Sequence, residues 1–217
     1  MRKPTYKLDW KDGFLFVGNQ LALDFLNTRP VQNGKPFELL PDFNALLRWF
    51  RAADLLNSED VHTLQRQWGA TAKAQQTTEA MRELRERLRN EMLAWERSGS
   101  VPHPTLNELN KLMAERPMLT RLGVKGKSCW TIQWFQLREP EDLFAPLAHS
   151  AATLFAKVDR KRVRKCARCV LHFYDTSKKG LRRWCSMQLC GNRLKVAAYA
   201  ARRRQRRNRR RHHLTAL

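Results

Sequence analysis

Four cysteines near the C-terminal end constrain the fold of this chain more than any other feature. Cys166 and Cys169 form a C-x2-C pair, and Cys185 and Cys190 form a C-x4-C pair 15 residues further on. Two close pairs at this separation are typical of structural zinc, because each pair offers two thiolates from one turn. We therefore predict one structural Zn²⁺ ion, held by these four residues, with no open coordination position for a substrate.

The residues between and after the two pairs suggest how the site is built. Residues 170–175 have strand character, 176–180 form a turn, and 181–185 return as a second strand, which predicts a hairpin that brings the pairs together. His172 could substitute for a thiolate, since imidazole also binds zinc, but packing within the strand is the better interpretation. Leucine and alanine at helical spacing predict a helix over residues 194–201.

Nearly all of the chain's excess charge lies in the same region. The net charge is +22, and residues 157–217 contain 21 Lys and Arg against 2 Asp and Glu. Such a block attracts polyanions, nucleic acid first and an anionic membrane surface second. Arginine in particular suits phosphate, because its planar guanidinium can donate to two oxygens.

We predict nucleic-acid contacts from the basic residues on the zinc scaffold and in the tail behind it. Asn192 and Arg193 could instead hold the loops around the metal, and the tail from residue 202 could be a solvated segment with only nonspecific affinity. The predicted contact residues are Lys178, Lys179, Arg182, Arg183, Arg193, Lys195, Arg202, Arg203, Arg204, Arg206 and Arg207.

The remaining three quarters of the chain are predicted to be mainly helical. The two strands 119–124 and 129–137, separated by Gly126, form the single β-hairpin in this part. The fold class is thus mainly α, a helical domain (1–158) with a small hairpin, followed by a zinc module of hairpin plus helix (159–201) and an arginine-rich tail (202–217). Six helices are predicted in this part. Two of them cover residues 16–28 and 78–99. The other four begin at Pro41-Asp42, at an N-cap at Ser58, at a Thr105/Glu108 capping box and at Pro140.

Catalysis, secretion and membrane insertion are not indicated. No apolar run reaches 18 residues and no signal peptide is recognisable, so we expect a cytoplasmic protein. Cys129 is expected to be a thiol of the helical core. An enzymatic site around Asp24, Asn27 and Thr28 would need a nucleophile and a base, which are missing; Asp24 and Asn27 are better explained as core or helix-end hydrogen bonders.

The stretch CARCVLHFYDTSKKGLRRWCSMQLCGNRLK closely resembles the CGNR zinc finger, whose motif stands here at residues 190–193. GNQLALDFLNT and DLFAPLAHSAATLF resemble the ABATE domain, which precedes this finger in bacterial proteins regarded as stress-induced transcription regulators. The resemblance implies four cysteine ligands to zinc and a role in DNA binding. It leaves open an RNA-binding alternative, with Phe173, Tyr174 and Trp184 stacking on bases, and a helical domain that dimerises or binds a small effector.

Overall fold

The computed structural model describes residues 10–32, 34–126 and 128–191. The described helices are α1 (Leu21–Leu26), α2 (Phe43–Ala52), α3 (Ser58–Trp68), α4 (Ala72–Ser98), α5 (His103–Glu115) and α6 (Phe144–Lys157), with 3-10 turns at Pro140–Leu143 and Arg160–Arg162. The described strands are β1 (Trp10–Lys11), β2 (Phe14–Leu15), β3 (Val31–Gln32), β4 (Lys35–Pro36), β5 (Leu119–Lys125), β6 (Ser128–Trp134), β7 (Val163–Lys165) and β8 (His172–Tyr174). The mainly helical fold with small antiparallel hairpins is as predicted. None of the described helices is long and apolar enough to cross a bilayer.

The helical domain encloses a core centred on Trp49 of α2, whose side chain is fully buried. Phe25 of α1 and Phe50 of α2 pack against the indole with ring centroids 5.5 and 5.1 Å away. The apolar stripe of α4, with Met81 and Leu88, closes the same core. Burial of large aromatic side chains here accounts for much of the hydrophobic stabilisation.

Most predicted helix boundaries follow from capping residues. Asp42 caps α2, and its carboxylate accepts from Ala45 N at 2.8 Å, as predicted. The predicted N-cap at Ser58 is one residue too late, because Asn57 caps α3 and forms a reciprocal capping box with Asp60. Helix α4 begins six residues before the predicted start, where Thr71 is its cap.

The prediction of a Thr105/Glu108 capping box is wrong. Helix α5 already begins at His103, after Pro102, so Thr105 lies within the first turn. Glu108 instead points at the neighbouring helix, where its carboxylate accepts from Arg87 at 2.5 Å. A proline start supplies the helix with a fixed φ and removes one N–H that would lack a partner.

The predicted helix over 16–28 is replaced by an extended segment followed by the short helix α1. Along residues 14–17, Phe14 and Phe16 face the helical core, while Leu15 and Val17 face a second core around the cysteines. This alternation has the period of a strand, which sends successive side chains to opposite sides. The segment is extended because it serves two cores at once.

A buried ion pair connects α4 to the loop after α1. Arg85 is 1% exposed, and its guanidinium donates to Glu38 at 2.5 and 2.8 Å and to Thr28 Oγ1 at 2.9 Å. Burial raises the pKa of Glu38, but the hydrogen bonds from Arg85 and Leu40 N together with the nearby arginine charges outweigh it, so that the net pKa is lowered. Removing one partner of such a pair leaves a buried charge without compensation. Thr28 therefore has a structural role as a hydrogen-bond acceptor of Arg85.

The β5–β6 hairpin forms as predicted, in register from Leu119 opposite Trp134 to Lys125 opposite Ser128. Phe135 and Leu137, just after β6, pack against the helical core and anchor the base of the hairpin. The expectation that Cys129 is a core thiol is wrong, because Cys129 lies on this hairpin and is exposed.

The predicted hairpin between the two cysteine pairs is also wrong. Strand β8 forms, but it pairs with β7, which precedes the first cysteine pair, with Arg164 opposite Phe173. No strand is assigned over residues 181–185, which return as an irregular loop. The predicted helix over residues 194–201 lies outside the described residues.

Strand β8 is joined to the helical domain along its other edge. The side chain of Asn27, at the C-terminal end of α1, donates to His172 O at 2.9 Å and accepts from His172 N at 2.8 Å. Tyr174 N donates to Gly18 O at 2.8 Å, and Asn19 donates to Tyr174 O at 2.8 Å. Asn27 acts here as a substitute for a neighbouring strand, and the expectation that it forms hydrogen bonds in the core is confirmed.

Replacing Asn27 should therefore destabilise the whole chain. In Asn27→Ala, the buried N–H and C=O of His172 lose their partners, and we expect the free energy of unfolding to fall by about 2–4 kcal/mol. The isosteric Asn27→Asp should also destabilise, because a carboxylate has no hydrogen to donate to His172 O. Urea unfolding of the zinc-loaded protein measures both.

Asn44→Ala is the matched control, because Asn44 is exposed on α2. Its effect should stay within about 0.5 kcal/mol. Equal stabilities for Asn27→Ala and Asn44→Ala would contradict the role given to Asn27.

Candidate metal centre and basic surface

The four predicted cysteines lie together. Their Sγ atoms are all within 4.8 Å of one another, and the distances from Cys169 to Cys185, Cys185 to Cys190 and Cys190 to Cys169 are 3.7, 3.8 and 3.7 Å. A tetrahedron of sulfurs about 2.3 Å from a central Zn²⁺ has edges of about 3.8 Å. The cluster therefore fits one structural zinc ion, with all four positions filled by protein.

Backbone hydrogen bonds shape the two loops that present the sulfurs. In the first loop, Cys166 N donates to Leu171 O at 2.9 Å. In the second loop, Cys190 N and Gly191 N both donate to Ser186 O, at 3.1 and 3.0 Å. Ala167 N donates to Arg183 O at 3.0 Å and so ties the loops to each other. These bonds hold the two pairs close without the predicted hairpin.

Gly191 follows the last ligand at a point of close approach. A Cβ at this position would lie 2.6 Å from Met187 Sδ and 3.3 Å from Trp184 Cδ1. Any other residue would therefore push Met187 away from the π-helical turn Met187–Gly191. Met187 is flexible and exposed and can move, so a larger residue at Gly191 would displace it and then crowd Trp184 beside the metal ligand.

The cysteines form part of a small core to which the helical domain contributes. Phe173 and Leu171 from the loop and strand pack with Leu15 and Val17 from the extended segment near the N-terminus. The ligand sulfurs of Cys166, Cys185 and Cys190 are largely shielded from water here. Sequence reasoning missed Leu15 and Val17; the uninterrupted apolar run of residues 14–17, which is consistent with an extended segment buried on both sides, is the signal that could have shown them.

Without a cation, the four thiols cannot all ionise. Hydrogen bonds lower the pKa of Cys169 to about 5, and the one from Cys185 has the largest effect. Cys169 Sγ is therefore the sulfur that accepts hydrogen bonds from the other thiols. The hydrogen bond that Cys185 donates raises its own pKa, and burial followed by the Cys169 charge raises the pKa of Cys190 to about 12. Zinc binding must therefore release protons, as is general for thiolate sites.

His172 is not part of the sulfur cluster. It lies in β8 with 2% of its surface exposed, and its pKa is lowered to about 4 by burial and by the nearby charges of Arg89 and Lys165. Such an imidazole is neutral at physiological pH. Its placement agrees with the interpretation as a packed strand residue.

Asp175 organises the loop between the cysteine pairs, and sequence reasoning missed it. Its buried carboxylate accepts from Ser177 N at 2.9 Å and Arg182 N at 2.7 Å. Burial raises the pKa of Asp175, but these hydrogen bonds outweigh it and the net pKa is lowered. An Asp that bonds to the backbone two residues later is the usual Asx-turn, and the sequence Asp-Thr-Ser is a recognisable signal for it.

Several arginines of the zinc module are used in its framework. Arg182 lies 4.5 Å over the Phe173 ring and donates to the carbonyl oxygens of Trp184, at 2.8 Å, and Cys185. Arg162 donates to two carbonyls of the 175–177 turn, and Arg164 donates to Gly180 O at 2.8 Å. These contacts give Arg182 a structural role; its contact with nucleic acid stays a prediction.

A second set of basic residues points outwards. Lys178, Lys179 and Arg183 are exposed, as is Arg168 between the first two ligands, which the sequence prediction did not include. No carboxylate pairs with these four within the part of the chain that the structure describes. Asn192 lies outside the described residues, as do the other predicted contacts: Arg193, Lys195, Arg202, Arg203, Arg204, Arg206 and Arg207.

A groove of about 1300 Å³ separates this module from the helical domain. Its lining is mixed, with apolar Phe16 and Leu21, uncharged polar Gln20 and Thr153, charged Lys11, Asp24, Asp54 and Arg182, and residues of the second cysteine loop such as Gln188. A groove of this size exceeds that of a typical small-molecule site.

The fold and the site define a helical protein with a four-cysteine zinc finger at its C-terminal side. Family models match both parts: ABATE, described as "Putative stress-induced transcription regulator", over residues 19–158, and the CGNR zinc finger over residues 162–203. The chain belongs to the ABATE family and carries a CGNR zinc finger. No curated protein matches it significantly.

Removal of one ligand should abolish zinc binding and weaken both parts of the chain. In Cys185→Ser we expect zinc content to fall from one ion per chain to well below one, because a serine hydroxyl is a poor zinc ligand. Since Leu15 and Val17 pack on the cysteine core, the melting temperature of the helices should also fall by several degrees. Metal analysis and circular dichroism melting measure these effects.

Cys129→Ser is the matched control, because Cys129 is exposed and far from the cluster in sequence. It should keep full zinc content and an unchanged melting temperature. Full zinc occupancy in Cys185→Ser would exclude the four-sulfur site.

Proposed function

We propose that this protein is a DNA-binding transcription regulator whose zinc finger presents a basic surface to the phosphate backbone. The observation that carries the proposal is the outward set Arg168, Lys178, Lys179 and Arg183 on loops fixed by the metal. Residues 157–217 contain two acidic residues, Asp159 and Asp175. Asp159 lies 3.8 Å from Arg162, and Asp175 is buried in its turn, so neither neutralises this surface.

The charges that the zinc site itself brings do not cancel the surface. Four thiolates and one Zn²⁺ carry a net charge of about −2, while the exposed cations of the finger and the arginines that follow it are far more numerous. Rigid loops hold such cations in a fixed pattern, which makes precise contacts easier. Phosphate contacts position a protein on the duplex, and base contacts would then supply any sequence preference.

The RNA alternative is less well supported by the aromatic residues. Phe173 is fully buried beneath the Arg182 guanidinium and cannot stack on a base. Tyr174 packs against the helical core. Trp184 is half-buried, with Arg183 5.1 Å from its ring, so one aromatic side chain remains for stacking where single-strand binding usually needs several.

Neutralising two exposed lysines should weaken binding to duplex DNA and reduce its dependence on salt. For Lys178→Gln/Lys179→Gln, we expect the slope of log affinity against log salt to become less negative by about 1–2, since each phosphate contact contributes about −0.9. Fluorescence anisotropy with a labelled duplex over a range of salt concentrations measures the slope.

Lys111→Gln provides the control, because Lys111 is a highly exposed cation on α5 in the helical domain. Its slope should equal that of the unsubstituted protein. A slope unchanged in the double variant would show that these lysines do not contact phosphate, and stronger competition by single-stranded RNA than by duplex DNA at matched salt would favour the RNA alternative.

We also propose that the groove between the two parts binds a small effector molecule. The supporting observation is its lining, because one occupant would contact α1 and α6 on one side and the second cysteine loop on the other. The lining combines apolar side chains and uncharged hydrogen-bonding groups with charges of both signs, as on Lys11, Asp54 and Arg182, which suits a polar ligand that carries hydrogen-bonding and charged groups.

Filling the groove should remove effector binding without unfolding the protein. A compound that raises the melting temperature of the unsubstituted protein should have no effect on Thr153→Trp, whose indole would occupy the groove. Lys157→Trp, exposed at the end of α6, is the control and should respond normally. The site would be rejected if, in a thermal-shift screen of polar metabolites, no compound acts or each active compound acts equally on Thr153→Trp.

A further inference from the structure

The β5–β6 hairpin presents two faces of different character. Because side chains alternate along a strand, the register places every second residue of β5 and β6 on the same side. One side, which we call the uncharged face, consists of Thr120, Leu122 and Val124 on β5 and of Cys129, Thr131 and Gln133 on β6. The opposite side carries Arg121 and the two tryptophans.

On the opposite side Trp130 and Trp134 are 42% and 44% exposed, but one ring covers part of the strand pair. The ring of Trp130 lies across the strand pair on Gly123, where a Cβ would approach Trp130 Cε2 to 3.0 Å and Ile132 Cδ1 to 2.9 Å. Ile132 is consequently half-buried. Packing of an aromatic ring over a glycine in a strand pair stabilises the pair from one side.

The uncharged face has no such cover within the described residues. Leu122 is 69% exposed and Val124 is 66% exposed, although both are apolar β-sheet residues. Cys129 beside Val124 and Thr131 opposite Leu122 are also exposed. An isolated two-stranded hairpin is marginally stable in water, so two adjacent apolar side chains left in water are costly where nothing else packs on them.

We propose that this face is a homodimer interface, on which a second copy of the chain places its own uncharged face. Identical faces meet across a two-fold axis in such a dimer, so each face must complement itself. All six side chains are uncharged, and two copies can therefore meet without opposing like charges. Threonine and glutamine side chains can hydrogen-bond to each other at the edges of the apolar centre.

The same chemistry argues against other occupants. A surface for nucleic acid or for an anionic membrane needs cations to meet the phosphates, and this face contributes none. The basic surface of the finger supplies those cations elsewhere on the molecule. The dimer does not rest on the proposed DNA binding, since none of its six residues is among the basic residues proposed to contact phosphate, although Gln133 also lines the groove.

The size of the face predicts a weak dimer. From the exposures of its six residues, each copy contributes roughly 400–500 Å², so that a pair buries about 900 Å². This area lies at the lower end of specific interfaces, where association is commonly transient. We therefore expect a dissociation constant of about 1–100 µM, so that the protein dimerises at ordinary laboratory concentrations.

Sedimentation equilibrium of the zinc-loaded protein without DNA tests the interface. The unsubstituted protein should dimerise, and Leu122→Asp should raise the dissociation constant about a hundredfold or more, because each dimer would bury two carboxylates. The reactivity of Cys129 provides a second measurement of dimerisation. Because the dimer covers this thiol, its rate of reaction with a maleimide should fall as the protein concentration rises. Arg121→Gln, on the opposite side of the same strand, is the control and should dimerise normally.

Three results would overturn the proposal. The first is a protein that stays monomeric at about 100 µM. The second is dimerisation that Leu122→Asp and Val124→Asp leave unchanged while both variants keep the normal melting temperature. The third is a dimer that forms only after the residues beyond 191 are removed, which would show that the chain's own C-terminal segment covers this face. Failure of DNA binding in the lysine variants would leave all three measurements unaffected.

Discussion

The backbone of β8 is hydrogen-bonded on both sides, and this constraint connects the two parts of the protein. On one side lies β7, and on the other lie Gly18, Asn19 and Asn27 of the helical domain. A three-residue strand has little stability of its own, since a pair of short strands is marginal in water. The finger thus depends on the helical domain for four hydrogen bonds to the backbone of β8. The finger is therefore a module docked on the helices, and it is not an independent unit joined to them by a linker alone.

Zinc binding and arginine hydrogen bonds together stabilise the rest of the finger. The sulfur cluster replaces a hydrophobic core that so short a segment could not form, and its sulfurs pack with Leu15 and Val17. Arg162, Arg164 and Arg182 saturate loop carbonyls, so that irregular backbone close to the metal has hydrogen-bond partners. A charge count along the sequence cannot separate these framework arginines from outward ones. The separation depends on which carbonyls the folded loop brings within reach.

The features that sequence reasoning predicted well are those encoded by local chemistry. The cysteine spacing, the Asp42 cap and the Gly99 end of α4 are each specified by a few adjacent residues. The β5–β6 hairpin likewise follows from its own strand pattern. Some helix starts were misplaced because neighbouring residues compete as caps, while the larger errors occurred where tertiary contacts decide. Residues 14–17 are extended because two cores compete for them, and β8 pairs with β7 because Asn27 fixes its other edge.

The alternating segment at residues 14–17 also explains how a change in the helices could reach the finger. Phe16 stacks on Trp49 with ring centroids 6.1 Å apart, while its neighbours Leu15 and Val17 contact the cysteine core. A displacement of α1 or α2 would therefore move both cores, since close-packed interiors transmit strain and do not absorb it. A ligand in the groove could shift the basic loops only by as much as its affinity differs between two arrangements of this segment. The groove residues Phe16 and Val17 belong to that same segment, so a ligand there would act directly on the element that both cores share.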